Sequence, residues 1–207
     1  MMPPAQHGFS IPKPARAGGG FTIIEILTIV AILGILAALL FPLVGRAQQN
    51  AKNAKTRVQF SQWSAAIEAF RQEYGFYPSF TGNKVNGTPN QFLELLSGRE
   101  TTNPQNKKRI PFYSFGNDEV QTANSTVEGK TITVSTIVDA FGNSDITVLV
   151  DDDYDGIIEA TDINSTSHEV GGFTPPSEKV PSTGVRAGVI FFSAGAGSND
   201  SDVVTSW

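Results

Sequence analysis

Three groups of side chains in this sequence could do chemistry, and each is built on carboxylates. The first is Asp151-Asp152-Asp153-Tyr154-Asp155-Gly156, followed at a distance by Asp162. Read from Asp151, carboxylates fall at alternate positions, glycine is sixth and another acid is twelfth. That is the spacing of a calcium-binding EF-hand loop, where alternate carboxylates converge on one ion and the glycine permits the sharp turn. Asp162 stands where such loops carry a bidentate glutamate, which lowers the expected affinity. The flanks read as strand, so this is a bare calcium loop, with a metal-free Asp-Gly hairpin turn as the alternative. The second group is Ser193, Asn199, Asp200 and Asp202, hard oxygen donors in a glycine-rich loop. Backbone carbonyls can complete a calcium shell of about 6–8 oxygens around them; the alternative is an acidic solvated loop. The third is a single carboxylate, Glu25, the one charge in the apolar stretch Phe21 to Val44. A charge in the middle of a hydrocarbon span costs about 2.5–3.5 kcal/mol and calls for a partner. The alternative is that Glu25 lies near enough to the helix start to reach the interface, where the helix dipole favours it.

Other chemistries have little material. The 207 residues include no cysteine, which removes disulfides, iron–sulfur clusters, cysteine-bound zinc and thiol nucleophiles. The two histidines, His7 and His168, cannot build a multi-histidine metal site. Asp153 and Asp155 could in principle do acid–base work, but they lie in the calcium-like loop. His168 sits in a Ser/Thr-rich stretch and reads as a surface histidine. The expectation is that the chain is not an enzyme and has no catalytic residues. Net charge is −5 with no long basic stretch, so no nucleic-acid partner is expected. Hydrophobic residues make up 40% of the chain, enough for a folded core.

The elements that must position these groups begin with a leader. Met1–Gly20 is rich in Pro, Gly and Ala, carries only Lys13 and Arg16 as charges, and ends in three glycines. The apolar run follows the small-residue break, whereas in a cleaved secretory peptide the break follows the run. Residues 21–45 are long enough for about 20 residues of membrane-spanning helix. From Arg46 the pattern turns amphipathic, with Ala47, Ala51, Ala54 and Val58, then Trp63, Ile67, Phe70 and Tyr74, at helical spacing. One helix is expected from about Thr22 to Tyr74, loosened at Pro42, capped by Gly75 and stopped by Pro78. A short helix near Gln91–Leu96 and strands at Thr131–Val138, Ile146–Val150 and Val185–Phe192 follow. The fold class is α+β: a long N-terminal helix, membrane-spanning in its first half, packed on a small antiparallel β-sheet. Residues 46–207 form the globular domain, which includes the amphipathic half of the helix.

With the leader, Gly20-Phe21-Thr22-Ile23-Ile24-Glu25 and the apolar helix containing Pro42, the chain resembles the type IV pilin and type II secretion pseudopilin superfamily. The resemblance implies cleavage between Gly20 and Phe21 by a prepilin peptidase, N-methylation of Phe21, and a role for Glu25 in assembly. It also implies a pilin-like fold held in the bacterial inner membrane by a single span. The C-terminal domain would lie in the periplasm, as would the filament once assembled. The charge count alone, with Arg46, Lys52, Lys55 and Arg57 after the span, would favour the opposite orientation. These basic residues read either as a contact for acidic neighbouring subunits or as a solvated helix face.

Further matches point to the secretion branch, and to its major pseudopilins. Tyr74-Gly75-Phe76-Tyr77-Pro78 is similar to their helix exit. Asp139-Ala140-Phe141-Gly142-Asn143 is similar to their Asp-Pro-Trp-Gly-Asn segment, with Ala140 and Phe141 departing from it. The stretch from Phe192 through Asn199-Asp200-Ser201-Asp202 to Ser206-Trp207 resembles their C-terminal loop, which binds calcium in that family. Gly82 to Ile132 carries no such match. The implied function is a structural subunit of a pseudopilus that drives protein export. Its implied partners are itself and other pseudopilins, the prepilin peptidase, the inner-membrane assembly platform, and lipid before assembly. Two alternatives stay open: a type IV pilin for adhesion, motility or DNA uptake, and a membrane-anchored, calcium-dependent binding module.

Overall fold

The computed structural model describes residues 20–87, 90–99, 104–127 and 130–207. The expected leader, apart from Gly20, lies outside them. Helix α1 runs from Ile23 to Tyr74, Pro42 included. Its start is a reciprocal cap. Thr22 Oγ1 accepts the Glu25 N–H at 3.3 Å, and Glu25 Oε2 accepts the Thr22 N–H at 3.4 Å, the Thr-x-x-Glu capping box that satisfies two otherwise orphaned donors. Its end is Gly75, whose φ of +80° is open to glycine and whose N–H reaches the Arg71 carbonyl at 2.7 Å.

The chain divides into two compact units between Gly45 and Arg46. In the first, residues 20–40 and 44–45 are all exposed, among them Phe21, Ile23, Leu27, Leu33 and Leu40. This part of α1 is long and apolar enough to cross a membrane.

In the second unit, α1 buries the stripe Thr56, Gln59, Phe60, Trp63, Ala66, Ile67 and Phe70. The stripe of Ala47, Ala51, Ala54 and Val58 is exposed, so the packed face is the one that carries the aromatic residues. Helix α2, Gln91–Ser97, is capped by the Asn90 side chain and closed by Gly98. The expected single sheet is two. Strands β1 (Val120–Val127) and β2 (Lys130–Ile137) form an antiparallel hairpin, Val120 facing Ile137. Strands β3 (Ile146–Val150), β4 (Val189–Ser193) and β5 (Val204–Thr205) form an antiparallel sheet in the order β3-β4-β5, with Ile146 opposite Ser193. The expected third strand is therefore shorter at its start, where Val185 makes only an isolated bridge to Ile158.

This sheet is apolar on both faces. Alternate residues Ile146, Val148, Val189 and Phe191 join α1 and α2 in one core with Trp63, Phe60 and Phe92. Leu149, Ile190 and Phe192 join a second cluster with Ile158, Ile163, Val170, Val180, Val185 and Val203. Each fully buried Leu, Ile or Phe side chain contributes about 1.5–3 kcal/mol. The long connection between β3 and β4, with the short helix α3 (Ala160–Ile163), thus covers the sheet face that α1 leaves open.

Candidate functional site

The membrane unit places Gly20, Phe21 and Glu25 at its head, all exposed. The Glu25 carboxylate serves its own helix through the Thr22 N–H. The helix start therefore offers Glu25 a specific hydrogen-bond partner as well as a favourable field. The specific partner, Thr22, is a capping signal that sequence inspection could have found from Thr-x-x-Glu.

In the globular unit, the organising residue is Asp139, which is 2% exposed. Its Oδ1 accepts the N–H groups of Phe141 and Asn143, both at 2.8 Å. Its Oδ2 accepts Asn143 Nδ2 at 3.0 Å and the Ser193 hydroxyl at 2.7 Å. Asn143 Nδ2 also donates to the Gly195 carbonyl at 2.8 Å. The Asp139–Asn143 turn, completed by Gly142 at φ +92°, therefore clamps the end of β4 and the start of the C-terminal loop.

Of the C-terminal residues expected to hold calcium, Ser193 ends β4 while Asn199, Asp200 and Asp202 lie in the loop that follows, each with a different duty. Ser193 is fully buried and its hydroxyl donates to Asp139, which leaves its oxygen lone pairs to accept. Asn199 caps the 3-10 turn Asp200–Asp202 by accepting the Ser201 N–H at 2.9 Å. Asp200 Oδ1 accepts the Thr174 N–H at 3.3 Å, and Asp202 Oδ2 accepts the Ser198 N–H at 3.0 Å. Among the described residues, the other oxygen of each carboxylate has no hydrogen-bond partner. Two hard anionic oxygens in a short loop suit calcium chemistry. Sequence inspection missed Lys179. Its ammonium donates to the Val203 carbonyl at 2.7 Å and to Ser201 at 3.4 Å, and Trp207 Nε1 donates to the Lys179 carbonyl at 2.6 Å. Burial, with Arg57 nearby, holds the Lys179 ammonium below the usual lysine range.

The acidic loop after β3 gathers three of its four expected ligands. One carboxylate oxygen from each of Asp151, Asp153 and Asp155 lies within 4.8 Å of the others. Asp162 falls in α3 and is not among them. Tyr154 leaves this loop to stack on Tyr77, with ring centroids 5.8 Å apart and planes 18° apart, and its hydroxyl accepts the Tyr77 N–H at 3.3 Å. The Arg71 guanidinium lies 4.5 Å from the Tyr77 ring centroid and 5.4 Å from that of Tyr154. Tyr77 Oη donates to Glu68 at 2.8 Å and accepts from Arg71 at 2.7 Å. Burial, reinforced by the Glu68 carboxylate, pushes the Tyr77 hydroxyl up to about 12.

Of the basic residues after the span, Lys55 pairs with Asp118 at 2.6 Å, which holds that exposed carboxyl below its usual range. Lys52 lies 5.4 Å from the Phe141 ring centroid. His168 is half-buried between Asn83, 3.0 Å from its Nε2, and the Asp162 carbonyl, 2.6 Å from its Nδ1.

An exposed apolar helical unit with a carboxylate in its first turn, continuing into a small helix-on-sheet domain, defines a pilin-like protein. No family model and no solved structure matches the chain. It is similar to the type II secretion system core protein G of Pseudomonas aeruginosa, 34% identical over 110 residues, which cover 49% of this chain and 71% of that protein. The proteins of the same name from Vibrio cholerae and Escherichia coli are 29% and 30% identical over 51% and 49% of this chain, and 71% and 69% of their own. The chain belongs to the family of type II secretion system core protein G, the major pseudopilins.

Proposed function

We propose that the chain is a structural subunit of a type II secretion pseudopilus, anchored in the inner membrane with its globular unit in the periplasm until it is assembled. The observation that carries this is the head of the membrane unit. There Gly20-Phe21 precedes an apolar helical stretch, exposed over residues 23–40 and 44–45, whose one carboxylate, Glu25, stands in the first turn.

Cleavage of the Gly20–Phe21 bond by the prepilin peptidase creates an ammonium group on Phe21, which the same enzyme methylates. Among the described residues of the single chain, the Glu25 carboxylate has only the Thr22 N–H, at 3.4 Å, to satisfy it. In a filament the Phe21 ammonium of a neighbour offers a full opposite charge, so two groups that are each costly in hydrocarbon compensate one another. Such a pair fixes the axial register between subunits, as a polar group does in a coiled coil. The exposed Phe21, Ile23, Leu27, Leu33 and Leu40 then exchange lipid for the apolar helices of other pseudopilins. Growth of the filament on the assembly platform pushes cargo outward.

Calcium belongs in this proposal at the C-terminal loop. Asp200 and Asp202 would supply charged oxygens, with the neighbouring Asn199 and with Ser193 at the end of β4 as further oxygen donors, and the ion would neutralise two like charges two residues apart in the chain. Lys179 already ties Ser201 and Val203 to the rest of the domain.

The first test is co-expression with a prepilin peptidase and mass spectrometry of the purified N-terminus. The expected product begins at methylated Phe21. A chain that keeps Met1–Gly20 in the presence of an active peptidase contradicts the proposal.

A further inference from the structure

We infer that Asp151, Asp153 and Asp155 form a calcium site of their own, separate from the C-terminal loop. The loop between β3 and α3 carries four carboxylates in the five residues from Asp151 to Asp155. Among the described residues, none of the four is paired with a lysine or arginine. Acidic loops are common at surfaces, and clustering alone would say little. The independent observation is Asp151 itself. It is 4% exposed, and while its Oδ2 accepts the Gly156 N–H at 2.9 Å, its Oδ1 is buried with no hydrogen-bond partner among the described residues. A buried carboxylate oxygen without a partner is a liability that folded proteins avoid, since its desolvation is uncompensated. A cation held between Asp151, Asp153 and Asp155 removes that liability and the repulsion together.

The chemistry selects calcium among divalent ions. All donors are hard oxygens, with no nitrogen or sulfur of the kind zinc prefers. Calcium accepts about 6–8 oxygens at about 2.3–2.6 Å in flexible geometry, whereas magnesium gives up its waters reluctantly and demands a near-ideal octahedron. The three carboxylate oxygens, all within 4.8 Å of one another, can reach a single ion at calcium–oxygen distances. The backbone is set for the turn, with Tyr154 at φ +64° and Gly156 at φ +84°. Because Asp162 is not in the cluster, backbone carbonyls and water complete the shell. Affinity then falls in the weak range of extracellular calcium modules, with Kd on the order of 10⁻⁴–10⁻³ M. The ion would act on the fold through Tyr154, which the same loop holds against Tyr77 and Arg71 where α1 ends.

The test uses the full chain in detergent, stripped with a chelator and titrated with calcium chloride by calorimetry, with melting followed by near-UV circular dichroism. An Asp200→Asn/Asp202→Asn double variant removes the C-terminal loop from consideration, and the expected result is a retained one-site isotherm with a raised melting temperature. Asp153→Asn/Asp155→Asn replaces exposed carboxylates and leaves the buried Asp151 in place. It is expected to weaken that site by about tenfold or more while its chelated form melts as the parent does. Asp151→Asn is expected to lose the site as well. Three results overturn the inference: no calcium binding at millimolar concentration in the Asp200/Asp202 variant, an unchanged isotherm in the Asp153/Asp155 variant, or an equal response to magnesium chloride.

Discussion

Replacing Asp139 by alanine should be among the most destabilising single changes in the globular unit. Its two oxygens accept four hydrogen bonds, from the N–H groups of Phe141 and Asn143, from Asn143 Nδ2 and from the Ser193 hydroxyl. The site is buried, so these donors have no ready replacement in water. A hydrogen bond to a charged group contributes about 1.5–3 kcal/mol, but bonds sharing one acceptor are not additive. Loss of the whole network should therefore cost about 4 kcal/mol, at the upper end of what point changes do. Ser193→Ala removes one donor and should cost about 1 kcal/mol. Asn143→Ala also frees the Gly195 carbonyl and should cost about 2 kcal/mol. Asp139→Asn keeps one acceptor oxygen for the two backbone N–H groups and should fall between the serine and alanine changes. Trp63 is fully buried, so its fluorescence reports unfolding in denaturant or heat. A loss of 4 kcal/mol lowers the melting temperature by about 10 °C in a domain of this size class. If Asp139→Ala lies within about 0.5 kcal/mol of the parent, as ordinary surface changes do, the clamp described here does not hold the C-terminal loop.

Two further outcomes follow from the network at the end of α1. Tyr77 keeps its proton in the folded chain up to about 12, above the ordinary value of 10.0, because of burial and Glu68. The sign is that of a raised pKa: this contribution to stability is fully present below pH 10 and is lost as pH rises through about 12. Phenolate absorbance during alkaline titration should show a late step that disappears in Tyr77→Phe. Gly188→Ala should destabilise by about 2 kcal/mol, because a Cβ at that position collides with the Tyr77 hydroxyl and the Glu68 carboxylate; the shift in thermal denaturation midpoint measures it.

The long helix and its stop were legible because Trp63, Ile67 and Phe70 repeat at helical spacing and Gly75 must take a positive φ. Ile146–Val150 was legible as an uninterrupted apolar run between turn residues. Strand β1 was not, since Gln121, Thr122, Ala123 and Asn124 are all exposed and give no alternation to read. The two-residue β5 is too short to leave a pattern. The second core was invisible for a different reason. Ile158, Ile163, Val170, Val180 and Val185 are isolated apolar residues in polar loops, and only tertiary packing on β3 and β4 collects them. Spacing found Asp151, Asp153 and Asp155, which are local to one turn. It could not place Asp162, because the chain enters α3 at Ala160 before reaching the twelfth position. Asp139 was read as a family signature alone. Its physical role depends on Ser193 and Gly195, more than fifty positions along the chain.

Glu25 caps its own helix in the single chain, and under the proposed function it is required only once neighbours arrive, in a filament built on this helix. The most direct test of that requirement is assembly in cells carrying a type II secretion system from which the resident core protein G has been deleted. Filaments are sheared from the cells and probed for the chain, with Glu25→Ala alongside the parent. Cleaved chain is expected in the filament fraction for the parent, and cleaved chain confined to the membrane fraction for Glu25→Ala. Glu25→Ala filaments at parental level, or a cleaved parent chain that never leaves the membrane fraction, would contradict the proposed function.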